Sequence, residues 1–445
     1  MSRNVTKLIP VAVVSLAAVA LLATPAEAQG RRGRRCLAPS GGNDTARLQA
    51  ALDRCSGAEA WCEVRLCRGT FHTEPLRVGD FRGVLRGARR GRTVIQALPD
   101  LQVNNNVPYW HDDPLEPGLD PWPYLLQLIG GRGEIRDLTV EIPTPPAGLG
   151  PTQGWHELEI VGADPTLEMA GAILITGQDP VAFEVNRVRV VADPYPESEL
   201  FGTTILAGVS FRGLIHNPSD PGSFPVYPVT GQYRLSDSEL TGMVSGAELG
   251  ELDDAEVEIR GNDFQSLVAV DVLDASRSRV RVDGNQWDAG FVGVQAILNV
   301  DGEPSVDNTF LVSRNRGTVG PYWGYGSGVY FVDPWILPEP GNTTLSVFGN
   351  RITVGTAAEA ADTALEASGA GRLWVGANRF QGRVATGIRI DETSGCRVYW
   401  NRLDGLDTGG GPHLDLRRET SDCLAVVGQD DIVVDNGTDN RIVRR

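Results

Sequence analysis

Two stretches of this sequence set aromatic rings beside acids in the way that chemistry on sugars requires. Residues 104–124, NNNVPYWHDDPLEPGLDPWPY, carry Tyr109, Trp110, His111, Asp112, Asp113, Glu116, Asp120, Trp122 and Tyr124. Residues 317–341 carry Tyr322, Trp323, Tyr325, Tyr330, Phe331 and Trp335. Flat rings cover the apolar faces of sugars, and paired acids serve as general acid and base. His111, Asp112 and Asp113 are therefore the candidate catalytic groups, with Trp110, Trp122, Trp323 and Tyr325 as candidate substrate-binding groups. The plainer reading is that these rings and prolines cover the side of a scaffold, and that His-Asp-Asp is a solvated surface run.

Other constellations are weaker. Asp274, Glu366, Glu392 and Glu419 each precede a serine by two residues (Ser276, Ser368, Ser394, Ser421). Such a column can line a groove or hold calcium, but serines at this offset also bond turn backbone. His72, His156, His216 and His413 are scattered without metal-ligand spacing, so no metal site and no cofactor is expected beyond that possible calcium. Lys7 is the only lysine, and with the N-terminal segment removed no lysine base or Schiff base is available. The formal charge is −17; removal of residues 1–28 takes Arg3, Lys7 and Glu27 with it, which makes −18. That surface repels nucleic acid and anionic membranes, and polyuronates too unless local arginines or a bound cation reverse the field.

The elements that must position these residues are short and repeated. A β-branched alternation, a small residue, Asn and then an apolar residue recurs at Asn262, Asn285, Asn350, Asn378 and Asn401. A degenerate copy lies at Asn315, a last one is expected at Asn440, and weaker ones near Asp137, Asn186 and Asp237. Glu392-Thr393-Ser394-Gly395-Cys396 returns 27 residues later as Glu419-Thr420-Ser421-Asp422-Cys423. Strands of three to five residues with period-2 alternation bury one face, and no amphipathic helices separate them, which excludes βαβ folds. A β-sandwich also has many short strands, but its strands do not repeat their side-chain register. The repeat predicts a solenoid: a single-stranded, all-β, right-handed parallel β-helix with asparagine at a shared corner.

The N-terminus reads as an export signal. Arg3 and Lys7 precede the apolar run LIPVAVVSLAAVALLA and the site Ala26-Glu27-Ala28. Domains follow as 1–28 signal peptide, 29–40 basic flexible tail (Arg31, Arg32, Arg34, Arg35), and 41–445 β-helix with a cap over 41–70 and long loops at 104–124 and 317–341. The chain is expected to be secreted or periplasmic, without a membrane anchor. Six cysteines in an oxidising compartment read as disulfides. Cys396 and Cys423 fall on adjacent rungs, roughly 4.8 Å apart, within disulfide reach. Cys36, Cys55, Cys62 and Cys67 allow three pairings; Cys36–Cys67 with Cys55–Cys62 is preferred because a turn-like SGAEAW separates the latter two.

The segments GGNDTARLQAALDRC, VRLCRGTFHTEPLRV and GVLRGARRGRTVIQ, spanning 41–96, resemble the opening of pectate-lyase-superfamily proteins. There a D-D-T-x-x-[IL]-Q-x-A-[IL] helix caps a pectin-lyase-like right-handed parallel β-helix. The resemblance implies a short N-terminal capping helix with Asp44 or Thr45 at its start and Leu48, Ala51 and Leu52 facing inward. Gly69, Phe71, Thr93 and Ile95 would fill the first strands. For activity it implies little, since lyases, hydrolases, epimerases and non-catalytic proteins share this opening. Asp430-Asp431 looks like the middle acid pair of inverting polygalacturonases, but their N-T-D and G-H-G motifs are missing. The expectation is an exported β-helix that acts on or binds polysaccharide, a lyase or glycoside hydrolase, or else a non-catalytic glycan-binding or surface protein.

Overall fold

The structure is a computed structural model and describes residues 36–98, 124–143, 171–177, 181–193, 205, 207–213, 228–298, 306–321, 325–333 and 342–445. Within the unit Cys36–Arg445 the chain is a right-handed parallel β-helix, and among the described residues one helix, Thr45–Asp53, lies ahead of the strands. The coils visit three faces in turn, except that the chain passes from Leu424–Val427 straight back to the first sheet at Val433–Asp435. The first sheet holds Tyr124–Arg136 (its N-terminal half), Gly171–Thr176, Ala207–Arg212, the middle of Glu239–Arg260, Asp263–Ser276, Gln286–Ile297, Ser327–Val332, Ala361–Ser368, Arg379–Asp391 and Leu414–Leu416, all parallel. The second runs through Val229–Ser236, Arg279–Asp283, Thr309–Ser313, Thr344–Phe348 and Arg372–Gly376. The third includes Arg316–Val319, Arg351–Val354 and Arg402–Asp407.

Period-2 alternation places the core. On the first sheet Leu126, Ile173, Val209, Ala247, Val270, Val294, Val329, Leu365 and Ile388 stack in register, all buried. Full burial of a Val, Leu or Ile side chain stabilises by roughly 1.5–3 kcal/mol, so the file supplies much of the driving force.

The corner between the second and third sheets is an asparagine file. The backbone N–H of Asn262 donates to Asn285 Oδ1 at 2.9 Å, and the same bond joins 285 to 315, 315 to 350, 350 to 378 and 378 to 401. Each side-chain Nδ2 donates to the next Oδ1 as well, at 2.9–3.1 Å. Asn315, read as degenerate, is a full member. The residue before each asparagine has positive φ: Gly261, Gly284, Arg314, Gly349, Ala377 and Trp400. Upstream the same left-handed position is held by Asp137, Arg187 and Asp237, so the corner itself is Leu138, Val188 and Ser238. The sequence matches at Asp137 and Asp237 were thus one residue early, because an acid tolerates the left-handed turn as asparagine does.

Asn440 corrects the reading too. Its Oδ1 accepts from the Cys423 N–H at 3.0 Å, and Arg441 pairs with Leu424, itself paired with Arg397. It stands where the chain enters the second sheet, a different corner. Nor is 317–341 one excursion. Arg316–Val319 and Ser327–Val332 are strands, and Phe331 is core, 5.6 Å from Phe310.

Helix Thr45–Asp53 buries Leu48, Ala51 and Leu52 against the strand Leu76–Arg86. Gln49 Oε1 accepts the Arg77 N–H at 3.1 Å, meeting a donor that the open first rung would leave bare. Asp44 does not cap with its side chain; it accepts from Ser40 N–H and Arg47, while Asn43 Oδ1 accepts the Thr45 N–H at 2.8 Å. Pairing starts at Leu37, bridged to Leu66, ahead of residue 41 where the solenoid was expected to begin. Disulfides join Cys36–Cys67, Cys55–Cys62 and Cys396–Cys423.

Candidate active site on the first sheet

Between the core positions of the first sheet, side chains alternate outward and form a polar file. In register it reads Gln127, Leu174, Ser210, Glu248, Asp271, Gln295, Tyr330, Glu366, Arg389 and Asp415, with the first four buried and the rest partly exposed. Rungs lie roughly 4.8 Å apart, so successive members are neighbours.

The densest chemistry is at Glu248 and Asp271. Glu248 accepts from Arg212 Nη1 at 2.9 Å, Ser210 Oγ at 2.9 Å and the Tyr124 hydroxyl at 3.2 Å. Arg212 also bonds Glu251 Oε1 at 3.1 Å, and all three charged groups are buried. Two glycines make the room. A Cβ on Gly250 would lie 3.1 Å from Arg212 Cβ, and one on Gly171 would lie 2.2 Å from the Tyr124 ring. Asp271 is half-buried; it accepts from Ser245 Oγ at 3.2 Å and Gln295 Nε2 at 3.0 Å. Desolvation first, then the Glu248 charge, raises its carboxyl pKa to about 7 against the pull of Ser245, Gln295 and Arg212. Burial likewise raises Glu251 to about 7, overcoming Arg212. A carboxyl that keeps its proton near neutrality, beside a carboxylate held by an arginine, is equipped for general-acid work.

Further along, Arg389 Nη1 donates to Asp362 Oδ2 at 3.0 Å and Glu366 Oε2 at 2.9 Å. Burial raises the Glu366 carboxyl, and burial followed by the charges of Glu366 and Asp362 raises the Tyr330 phenol. The expected column of Asp274, Glu366, Glu392 and Glu419 is not one file. Glu366 pairs with Arg389 in the outward file, whereas Asp274, near the end of the strand Asp263–Ser276, and Glu392, just past the strand Arg379–Asp391, have positive φ and fall outside that file. Glu392 remains close enough to Glu419 for that charge to help raise its carboxyl, after burial and Asp391. Among the described residues no group of three or more His, Cys, Asp or Glu converges to hold a metal ion.

His111, Asp112, Asp113, Trp110, Trp122 and Trp323 lie outside the described residues. Tyr325 is described and 64 % exposed, two residues ahead of the strand Ser327–Val332. Tyr124, the last ring of the first aromatic stretch, is not on a surface loop; it is buried at the start of its strand with its hydroxyl on Glu248. Sequence reasoning missed Glu248, Asp271 and Arg212. An acid between two apolar residues, as in AELGEL and VAVDVL, also occurs at Glu366 in TALEAS, so it did not single these positions out.

A second concavity, of about 370 Å³, lies on the second sheet between Trp61, Glu134, Glu184, Gln232 and Arg234. Trp61 is 59 % exposed beside it, and burial followed by the Glu184 charge raises Glu134 against Arg136.

Coil, corner and outward file define a pectin-lyase-like right-handed parallel β-helix whose first sheet carries an acid centre. No protein-family profile matches the chain, and no curated protein does. Among solved structures it is similar to the A-module of a mannuronan C-5 epimerase from Azotobacter vinelandii, at 14 % identity over 91 % of this chain and 96 % of that one, with a TM-score of 0.47. A surface protein and adhesin of Streptococcus pneumoniae matches at 12 % identity over 92 % and 100 %, with a TM-score of 0.47. Polygalacturonase from Erwinia carotovora matches at 13 % over 92 % and 94 %, with a TM-score of 0.35. Likeness at this level concerns the coil and not the chemistry.

Proposed function

We propose that this is an exported protein that hydrolyses a polysaccharide lying along the first sheet, with Asp271 giving its proton to the leaving oxygen while water forms the new C–O bond at the anomeric carbon and releases a proton to solvent. The observation that carries the reading is Asp271 itself: half-buried, accepting two neutral hydrogen bonds, one rung from a carboxylate fixed by Arg212, and protonated up to about pH 7. Gln295 and Tyr330 on the next rungs offer polar contacts for sugar hydroxyls. Arg212 and Arg389 are each held by two carboxylates, which favours acid–base cleavage over a mechanism that needs a free arginine. Export is supported by three disulfides in one chain and by the signal-like N-terminus.

The test is a polysaccharide panel assayed for new reducing ends and for unsaturated products. Asp271→Asn is expected to lower turnover about 10²–10⁴-fold while leaving substrate binding intact. Wild-type turnover by Asp271→Asn on a cleaved substrate rejects the role. A second reading, glycan binding without cleavage, is favoured by the exposed Trp61 over the second-sheet groove; retention on a glycan that is never cleaved, abolished by Trp61→Ala, would select it.

A further inference from the structure

The third sheet carries a feature that neither the acid centre nor the core uses. Arg316, Arg351, Arg379 and Arg402 stand in register on four successive rungs, all outward and exposed. Each follows a file asparagine, as an Asn-Arg dipeptide. No side chain among the described residues pairs with any of the four. Some exposed arginines elsewhere meet acids, as Arg234 meets Glu258 at 2.9 Å and Arg187 meets Asp137 at 2.8 Å. Even this column, in its earlier coils, runs Arg189, Glu239, Asp263, Gln286, with Arg189 on Glu239 at 3.6 Å. Acids then cease, and four guanidiniums follow roughly 4.8 Å apart.

Like charges facing each other across adjacent strands destabilise a sheet. Here they persist in a chain of net charge −17, where acids to offset them are plentiful. The neighbouring outward column includes Asp288, which accepts from Thr318 Oγ1, and continues uncharged through Thr353 and Gln381. Asp404, two residues beyond Arg402, is the nearest acid along that strand. Guanidinium forks grip carboxylate and sulfate oxygens two at a time, and a line of them at constant pitch fits a polymer whose anionic groups recur along its length.

We propose that this arginine track binds an acidic polysaccharide along the solenoid axis, as a holding site apart from the first sheet. It stands independently of the role of Asp271, since it is read by binding and not by turnover.

The test uses the full chain in affinity electrophoresis through gels containing polygalacturonate, heparin, fully methyl-esterified polygalacturonate or single-stranded DNA. Retardation by polygalacturonate or heparin, absent with the methyl ester and largely lost in 0.5 M salt on the order expected from screening, is the predicted result. A carboxylate polymer is the ligand if polygalacturonate retards more, a sulfated one if heparin does. Arg351→Gln with Arg379→Gln should weaken binding about tenfold, and Arg351→Lys with Arg379→Lys distinctly less. Equal retardation of the Gln variant, or of wild type by the methyl ester, overturns the proposal. So does tighter binding to DNA than to either glycan, or sedimentation showing that the track joins copies of the chain and that the Gln variant separates them.

Discussion

At the residue scale the acid centre sets a pH dependence of stability whose sign is fixed by burial. Asp271 and Glu251 have folded pKa values near 7, above the values carboxyls take in an unfolded chain. Between about pH 4 and pH 7 the native state therefore binds more protons than the unfolded state. Their contribution is fully present below the unfolded values and is lost as pH rises through about 7. Denaturant midpoints should accordingly fall between pH 5 and pH 8, and the slope should flatten in Asp271→Asn; an unchanged slope in that variant contradicts the assignment. Arg212 is the other sensitive point. Replacing it by Met strands Glu248 and Glu251 in a buried site, and a loss of about 3–5 kcal/mol in urea unfolding is expected. Neither group was legible in the sequence. An acid between apolar residues reads as an ordinary outward strand position, and only the register that stacks AELGEL beneath VAVDVL brings Glu248 to Asp271. The aromatic stretches drew attention instead because composition marks them, and composition carries no contact.

At the element scale the repeat was far more legible, because one local rule is enforced coil after coil. A positive-φ residue followed by Asn reads as GN at 262, 285 and 350, AN at 378, WN at 401 and RN at 315, and these asparagines lie in one file as their spacing required. The rule failed only where chemistry offers substitutes. Leu138 and Val188 hold the corner without an amide, and Asn440 keeps the amide at another corner. The file should also be measurable. Asn315→Ala removes the acceptor for Asn285 N–H and Nδ2 and the donor to Val282 O. With buried groups left unmade, a loss of about 2–4 kcal/mol is expected in equilibrium unfolding. An exposed neighbour, Arg316→Ala, should change it by less than about 0.5 kcal/mol.

For the whole molecule, the position of the disulfides matters more than their number. Cys36–Cys67 and Cys55–Cys62 tie the first coils, and Cys396–Cys423 ties the last ones, with none between. A terminal rung has a neighbour on one side only, so it opens most cheaply in a nearest-neighbour solenoid. Closing a loop of 27 residues stabilises by roughly 3–4 kcal/mol in the chain-entropy account. Replacing Cys396 and Cys423 by Ser should let amides after Arg397 exchange first while those around Asn285 stay protected; uniform loss of protection would mean that the coils melt as one body.

The asparagine file also has a direction. From Asn285 to Asn401 each Oδ1 accepts the backbone N–H and one Nδ2 hydrogen of the asparagine before it, while each Nδ2 also donates back to a carbonyl one coil earlier; Asn378 thus depends on Asn401 for its backbone N–H and one of its two Nδ2 hydrogens. Removing the coil of Asn401 would leave those donors of Asn378 without their partner. The stacking bond is thus polar along the axis: each corner in the file is completed by the coil that follows it in sequence.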